Sequence, residues 1–310
     1  MEGIRILIAF RRYGELVMFS HSIFSFSFTV LALLTAFRGD FDPFDAVLVV
    51  VAFLGGRTCA NALNRVIDRR IDAANPRTAG RHIPAGLVGS GEALALAGIS
   101  FAFLAVSAFL LNPVCAALLP VAGILFVLYS YTKRFTWLCH GVLGIVCSGA
   151  TVGAWLAVRG RIDWPVLLLA SSNAAWVAGF DVVYAIQDIE FDRAQGLFSV
   201  PARFGSRLSL LLAGGAHAFA VAALASFGYA VGLGPAFLVS VLLIAATLVW
   251  ALFSAWKDYQ RTALFASYSA NQVVSFILLV GTAVEFGFLR TVPSWRSLTE
   301  LVEGLAGVLS

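Results

Sequence analysis

The chain has 310 residues, is 60% hydrophobic and only 12% charged, and has a mean hydropathy of +0.90. Water-soluble domains carry roughly 25% charged residues, so this composition excludes a soluble domain and reads as an integral membrane protein. The formal net charge of +4 comes from basic residues beside apolar segments. That placement speaks for membrane topology and against nucleic-acid binding.

Nine apolar stretches are long enough to cross a bilayer, which takes about 20 residues each. In chain order they cover 15–37, 44–64, 92–111, 113–131, 138–158, 164–186, 206–230, 233–256 and 268–289. The fold class predicted is all-α: a polytopic membrane protein with about nine transmembrane helices around a central cavity. Short connections such as Leu111-Asn112-Pro113 imply antiparallel neighbours. No long linker divides the chain, so residues 1–310 read as one domain, with 290–310 a short amphipathic or interfacial tail. Arg5, Arg11 and Arg12 precede the first stretch without a small-residue cleavage site, which predicts a retained first helix.

Loop charge sets the orientation. With alternating sides, fifteen Lys and Arg fall on the side of the N-terminus and five on the other. The N-terminus is therefore expected in the cytoplasm, with the chain in the inner (cytoplasmic) membrane.

Two acidic clusters interrupt this apolar chain. The first is Asn64-Arg-Val-Ile-Asp68-Arg-Arg-Ile-Asp72; the second is Asp181-Val-Val-Tyr184-Ala-Ile-Gln-Asp188-Ile-Glu-Phe-Asp192. In the first, Arg57, Asn61, Asn64, Asp68 and Asp72 recur every three or four residues and share one helical face. In the second, Asp181, Tyr184, Asp188 and Asp192 do the same, with Asp181 deep in an apolar stretch. Stacked carboxylates repel one another, and near a membrane the cost rises. Oxygen-rich sites of this kind suit Mg²⁺, completed by substrate phosphates. Asn64, Asp68, Asp72, Asp188 and Asp192 are the expected metal ligands, with Arg77 and Arg81 just beyond to hold diphosphate oxygens. A solvated helix end with ion pairs from Asp68 to Arg65 or Arg69 fits the first cluster equally well when it is taken alone. The topology places both clusters on one face of the membrane.

The clusters also hint at an internal repeat. Each leads into a basic, proline-containing loop, Arg77-Thr-Ala-Gly-Arg81-His-Ile-Pro84-Ala-Gly86 after the first and Gly196-Leu-Phe-Ser-Val-Pro201-Ala-Arg203-Phe-Gly205 after the second.

Asn64-x-x-x-Asp68-x-x-x-Asp72 with Asp188-x-x-x-Asp192, in a chain of nine apolar stretches, resembles the UbiA family of intramembrane aromatic prenyltransferases. The similarity covers roughly residues 10–290. Asn75-Pro-Arg-Thr-Ala-Gly-Arg81-His-Ile-Pro-Ala-Gly86, Tyr129-Ser-Tyr-Thr-Lys133-Arg134 and Gly179-Phe-Asp181-Val-Val-Tyr184-Ala-Ile-Gln-Asp188 resemble the 4-hydroxybenzoate polyprenyltransferase branch. They are closer still to its MqnP-type members of the menaquinone route. One departure is Arg65, where the broad family often has Asp; it is typical of this branch.

The resemblance implies Mg²⁺-dependent transfer of a polyprenyl group from its diphosphate to a ring carbon of an aromatic acid. It carries the metal–diphosphate role onto Asn64, Asp68, Asp72, Asp188 and Asp192. Lys133, with Arg134 beside it, takes the basic diphosphate contact, and Arg57, with Asn61, the aromatic carboxylate. Asp181 and Tyr184 fall near the reacting carbons. Partners are then the two substrates and the bilayer, with 1,4-dihydroxy-6-naphthoate and 4-hydroxybenzoate both open as acceptors and the oligomeric state unread.

Other residues carry less. Cys59, Cys115, Cys139 and Cys147 lie in or beside apolar segments without CxxC spacing and read as packing residues. His21, His82, His140 and His217 are scattered and form no transition-metal pattern. The 26 Phe read mainly as lipid-facing surface and helix packing, with some rings free to line a tunnel. A transporter would also use intramembrane Asp and Arg, but the late stretches lack a matching polar set. A CDP-alcohol phosphotransferase would need its acidic signature in one contiguous run, whereas here the two acidic faces lie about 120 residues apart.

Overall fold

The computed structural model describes residues 12–17, 22–37, 41–259 and 268–287. His21, Arg5, Arg11 and the tail 290–310 lie outside them. No strand occurs among the described residues. The helices are α1 (Ser22–Phe37), α2 (Pro43–Ile67), α3 (Arg69–Ala74), α4 (Ser90–Leu111), α5 (Pro113–Ala117), α6 (Leu119–Thr132), α7 (Cys139–Arg159) and α8 (Trp164–Ala185). After a 3₁₀ turn at Ile186–Asp188 come α9 (Ile189–Ala194), α10 (Val200–Val231), α11 (Pro235–Lys257) and α12 (Ala270–Gly287).

Proline and short polar residues set the helix starts. Pro43, Pro113, Pro120, Pro165, Pro201 and Pro235 each stand in a first turn, where a missing N–H costs nothing. Asp42, Asn112 and Ser199 cap α2, α5 and α10 through their side chains. At the other end, Gly160 and Gly232 take positive φ and stop α7 and α10.

Seven helical stretches among the described residues are long and apolar enough to span a membrane, and two shorter apolar helices, Phe24–Phe37 and Leu119–Thr132, fall within the first and fourth expected stretches. The fourth, 113–131, is not one helix. It breaks at Leu118, because Pro120 has no N–H to offer the Ala116 carbonyl. The seventh starts earlier than expected, at Val200, and kinks at Gly205.

The helices pack as a chain of neighbours. α2 rests on α4 and α6, α6 on α7, α7 on α8, α8 on α10, α10 on α11, and α11 on α12. Both α7 and α12 pack on α1. Phe103, Phe109, Ile124, Leu242, Trp250 and Phe276 point outward, as an integral multi-pass membrane protein requires. Small residues bring the inner helices together: a Cβ on Gly144 would lie 2.2 Å from the Ala174 carbonyl, and one on Gly179 would lie 2.7 Å from the His217 ring. This near-backbone contact of α7, α8 and α10 fixes where Asp181 and Tyr184 stand.

Both acidic clusters fall at helix breaks rather than on continuous helical faces. α2 ends at Ile67, Asp68 takes φ −91° and ψ 1°, and α3 begins at once. α8 ends at Ala185, and the 3₁₀ turn tightens the chain before α9. The stretches after them are alike in one detail: Gly86, in the loop before α4, and Gly205, at the kink of α10, both have positive φ.

Candidate active site

The two breaks face each other across one cavity of about 300 Å³. Asp68, Asp72, Asp181, Asp188 and Asp192 line it, as do Arg57, Arg65, Arg77, Arg81 and Lys133. Five carboxylates thus meet five basic side chains. The carboxylate repulsion read from the sequence is relieved in part by ion pairs within the protein itself.

On the first side, Asp68 is 2% exposed. Its Oδ2 pairs with Lys133 Nζ at 2.7 Å and accepts from Asn64 Nδ2 at 2.9 Å. Its Oδ1 accepts from Arg134 Nη2 at 3.0 Å. These contacts replace the ion pairs to Arg65 or Arg69 that the spacing allowed; Arg69 donates to the Val66 carbonyl, and Arg65 Nε donates to the Leu16 carbonyl. Asp72 Oδ1 pairs with Arg81 Nη1 at 2.7 Å.

On the second side, Asp188 accepts from both Arg77 Nε and Arg77 Nη2, and from Asn75 Nδ2 at 2.9 Å. Arg77 Nη1 also donates to the Tyr184 hydroxyl at 2.8 Å, and the guanidinium lies 5.0 Å over the Tyr184 ring. Burial alone would lower the pKa of Arg77, but the hydrogen bonds and charge of Asp188 and Tyr184 outweigh it and the net shift is upward. Asp192 accepts from Ser199 Oγ at 2.8 Å.

Asn75 and Arg77 belong to the loop after the first cluster, yet they bind the second. The convergence is thus a set of hydrogen bonds spanning 111 and 113 residues of sequence.

Of the residues singled out from sequence, Arg57, Asn61, Asn64, Asp68, Asp72, Arg77, Arg81, Lys133, Asp181, Tyr184, Asp188 and Asp192 all line this cavity. Arg134 does not. It stands behind Asp68 and donates to the Ser130 and Ile67 carbonyls, so it buttresses the carboxylate. Asn61 donates to the Val17 carbonyl at 2.6 Å, which ties α2 to the N-terminal segment. Asn75, Ser199 and His140 are among the lining residues that the sequence reading did not assign to the site. The Asn-Pro-Arg run contained the first, but nothing in the spacing pairs His140 with Asp181, whose Oδ2 lies 2.7 Å from the imidazole Nδ1.

The donor set fits a divalent cation with a phosphate. Asp72 Oδ2, Arg57 Nε and Trp176 Nε1 are buried atoms of the lining without a hydrogen-bond partner among the described residues. Buried polar atoms are rarely left so, and here one wants a cation and the other two an acceptor. No group of three or more His, Cys, Asp or Glu is gathered for a metal among the described residues. Asp68, Asp72 and Asp188 stand instead in ion pairs with Lys133, Arg81 and Arg77, basic groups of the kind that bind phosphate.

Away from the charges the wall turns apolar. Phe24 packs edge-on to Phe180 and Trp176, at centroid distances of 5.7 and 6.3 Å, and all three line the cavity. A second cavity of about 380 Å³, walled by α2, α4, α6 and α7, adjoins the first and shares Arg57 and Cys147 with it. Arg57 Nη1 contacts Cys147 Sγ at 3.3 Å, so this pair stands where polar and apolar spaces meet.

This geometry has relatives. A UbiA homolog from Aeropyrum pernix K1 superposes with a TM-score of 0.78 at 36% identity, covering 86% of this chain and 98% of that one. A UbiA homolog from Archaeoglobus fulgidus bound to GPP and Mg²⁺ shares the fold, with a TM-score of 0.67 at 17% identity over 89% of this chain and 99% of that one. The 4-hydroxybenzoate octaprenyltransferase of Vibrio parahaemolyticus is 31% identical over 264 residues, 83% of this chain and 90% of that protein. That of Vibrio cholerae is 32% identical over 257 residues, 82% and 88%. Residues 25–279 match the UbiA prenyltransferase family, and the chain belongs to that family.

Proposed function

We propose that this protein transfers a polyprenyl group from polyprenyl diphosphate to a ring carbon of an aromatic acid, with Mg²⁺, in menaquinone- or ubiquinone-type quinone biosynthesis. The observation that carries this reading is the convergence of Asp68, Asp72, Asp188 and Asp192, with Arg77, Arg81 and Lys133, on one cavity that shares Arg57 and Cys147 with an apolar neighbour. The Vibrio relatives support 4-hydroxybenzoate as acceptor. The motifs of the menaquinone branch support 1,4-dihydroxy-6-naphthoate. In this reading residues 1–310 form one domain of nine spans in the inner membrane. The N-terminus and the active site face the cytoplasm.

Asn64, Asp68, Asp72, Asp188 and Asp192 would hold Mg²⁺, which supplies neutralisation of the diphosphate when bound. Arg77, Arg81 and Lys133 exchange their carboxylate partners for phosphate oxygens and stabilise the charge that gathers as the allylic C–O bond breaks. Phe24, Trp176 and Phe180, which line the cavity, keep water from the allylic cation. Arg57 holds the acceptor carboxylate. Asp181 takes the ring proton, and Tyr184 holds Arg77 in place beside Asp188.

The test is direct. Membranes holding the protein are incubated with each acid and with geranyl or longer diphosphates, with and without Mg²⁺. Metal-dependent formation of a C-prenylated acid is expected. Diphosphate consumption with neither acid prenylated removes the aromatic acceptor from this reading.

The second cavity is read as the berth of the tail. Gly153 borders it, and a Cβ there meets nothing within 4 Å. Gly153→Phe fills that space and is expected to cut turnover of an octaprenyl diphosphate about tenfold relative to geranyl diphosphate. Parallel losses for both chain lengths place the tail elsewhere.

A further inference from the structure

We propose that His140 is a positioning residue that aims Asp181 at the ring proton lost once the prenyl group has joined. This rests on the aromatic-acceptor reading above. His140 stands in the first turn of α7, is 5% exposed and borders the cavity. Its Nε2 accepts from the Val200 backbone N–H at 3.3 Å. That N–H opens α10, where helical amides have no partner within their own helix. With the Nε2 lone pair so engaged, the imidazole proton sits on Nδ1. His140 therefore donates to Asp181 Oδ2 at 2.7 Å, and Oδ1 is the oxygen left to accept a proton.

The contrast with the other carboxylates is chemical. Asp68, Asp72 and Asp188 each face a lysine or arginine and are committed to charge pairing. The partner of Asp181 is an imidazole, which gives the carboxylate direction while leaving one oxygen to act. α7, α8 and the start of α10 meet at this one ring. The contact thus also sets the Asp181 side chain, which is 27% exposed, at the cavity wall.

The chemical step balances. The bond from the first allylic carbon to the diphosphate oxygen breaks, its electron pair leaving with the diphosphate, and the ring carbon then forms a C–C bond to the allylic cation. The C–H bond at the attacked ring carbon then breaks, and its electron pair restores the aromatic ring. The proton passes to Asp181 Oδ1 and from there to water at the mouth of the cavity.

The experiment compares wild type, His140→Ala and His140→Asn in the purified full chain, using acceptor deuterated at the substituted ring position. His140→Ala is expected to lower kcat about 10- to 100-fold, to leave KM for both substrates within about threefold, and to raise the ring-deuterium isotope effect above that of wild type. In His140→Asn the side-chain amide donates from nearly the Nδ1 position, so turnover recovers and the isotope effect falls back. An unchanged kcat in His140→Ala overturns the proposal. So does a lowered kcat without a raised isotope effect, which marks a merely structural role. A second measurement does not depend on turnover. In ¹⁵N-histidine spectra the resonances lost in His140→Asn are those of His140. They are expected to report protonated Nδ1 and bare Nε2, and to move in Asp181→Asn. Protonation at Nε2 alone overturns the proposal. Failure of the acceptor reading is a different result: wild type then prenylates neither acid, whereas failure of the His140 role leaves wild-type transfer intact.

Discussion

Asp188→Ala and Asp68→Ala are each expected to abolish prenyl transfer, with losses of about a thousandfold or more in kcat/KM, equivalent to about 4 kcal/mol of transition-state stabilisation. Asp188 is where the two halves of the site are joined, accepting from Arg77 and Asn75 of the opposite loop. Without it the second half loses its diphosphate-side carboxylate, and Arg77 keeps only its bond to Tyr184. Asp68 is more deeply buried, and its removal strands Lys133 and Arg134 together. Like charges left without their counter-charge cost stability as well as activity. Asp68→Asn and Asp188→Asn separate the two effects, since an amide keeps the hydrogen-bonding shape and loses the charge. Both Asn variants are expected to insert and melt close to wild type yet to lose metal-dependent transfer. The measurement is initial rate against Mg²⁺ concentration in membranes, with thermal melting of the purified chain alongside. Wild-type-like turnover by both Asn variants would end the proposal of a charged metal–diphosphate site.

The sequence showed the parts of this site because its rules are local. Four-residue spacing puts Asp68 with Asp72 and Asp188 with Asp192, and the alternation of loops put both pairs on one side of the membrane. Long apolar runs made the helices legible for the same reason, since in lipid a single run satisfies its own backbone only as a helix. The tertiary pairings were not legible. No spacing rule connects Asn75 or Arg77 with Asp188, or His140 with Asp181, because those contacts depend on tertiary packing, such as that of α7, α8 and α10 through Gly144 and Gly179. The helix breaks at Asp68 and Asp188 were missed because no proline or glycine marks either. Spacing was also silent on Arg134: a basic residue next to Lys133 reads as a second substrate contact, yet its guanidinium turns back onto the Asp68 carboxylate and two carbonyls. Charge balance was hidden likewise. Five acidic residues look like repulsion, and only the fold shows that Asp68, Asp72 and Asp188 each meet a lysine or arginine, Asp181 an imidazole and Asp192 a hydroxyl.

In the proposed reaction Arg57 tells the two substrates apart, and Arg57→Ala is expected to show it. The residue stands apart from the ion pairs of the diphosphate end: Arg77, Arg81 and Lys133 each hold a carboxylate, while Arg57 contacts Cys147 and has a buried Nε without a partner among the described residues. A guanidinium so placed, at the boundary with the apolar cavity, is suited to one carboxylate presented by a flat ring. Its loss is expected to raise KM for the aromatic acid about 10- to 100-fold, or about 1.4 to 2.8 kcal/mol, with KM for the prenyl diphosphate held within about threefold. Arg57→Lys keeps the charge and loses the planar fork, so it falls between the two. The control is an acceptor analogue in which the carboxylate is replaced by a neutral amide. Wild type is expected to bind it about as weakly as Arg57→Ala binds the acid, and Arg57→Ala to discriminate little between acid and amide. Equal rises in both KM values, or full discrimination by the variant, would move the carboxylate contact to another residue, and Arg57 would then serve only to divide the polar cavity from the apolar one.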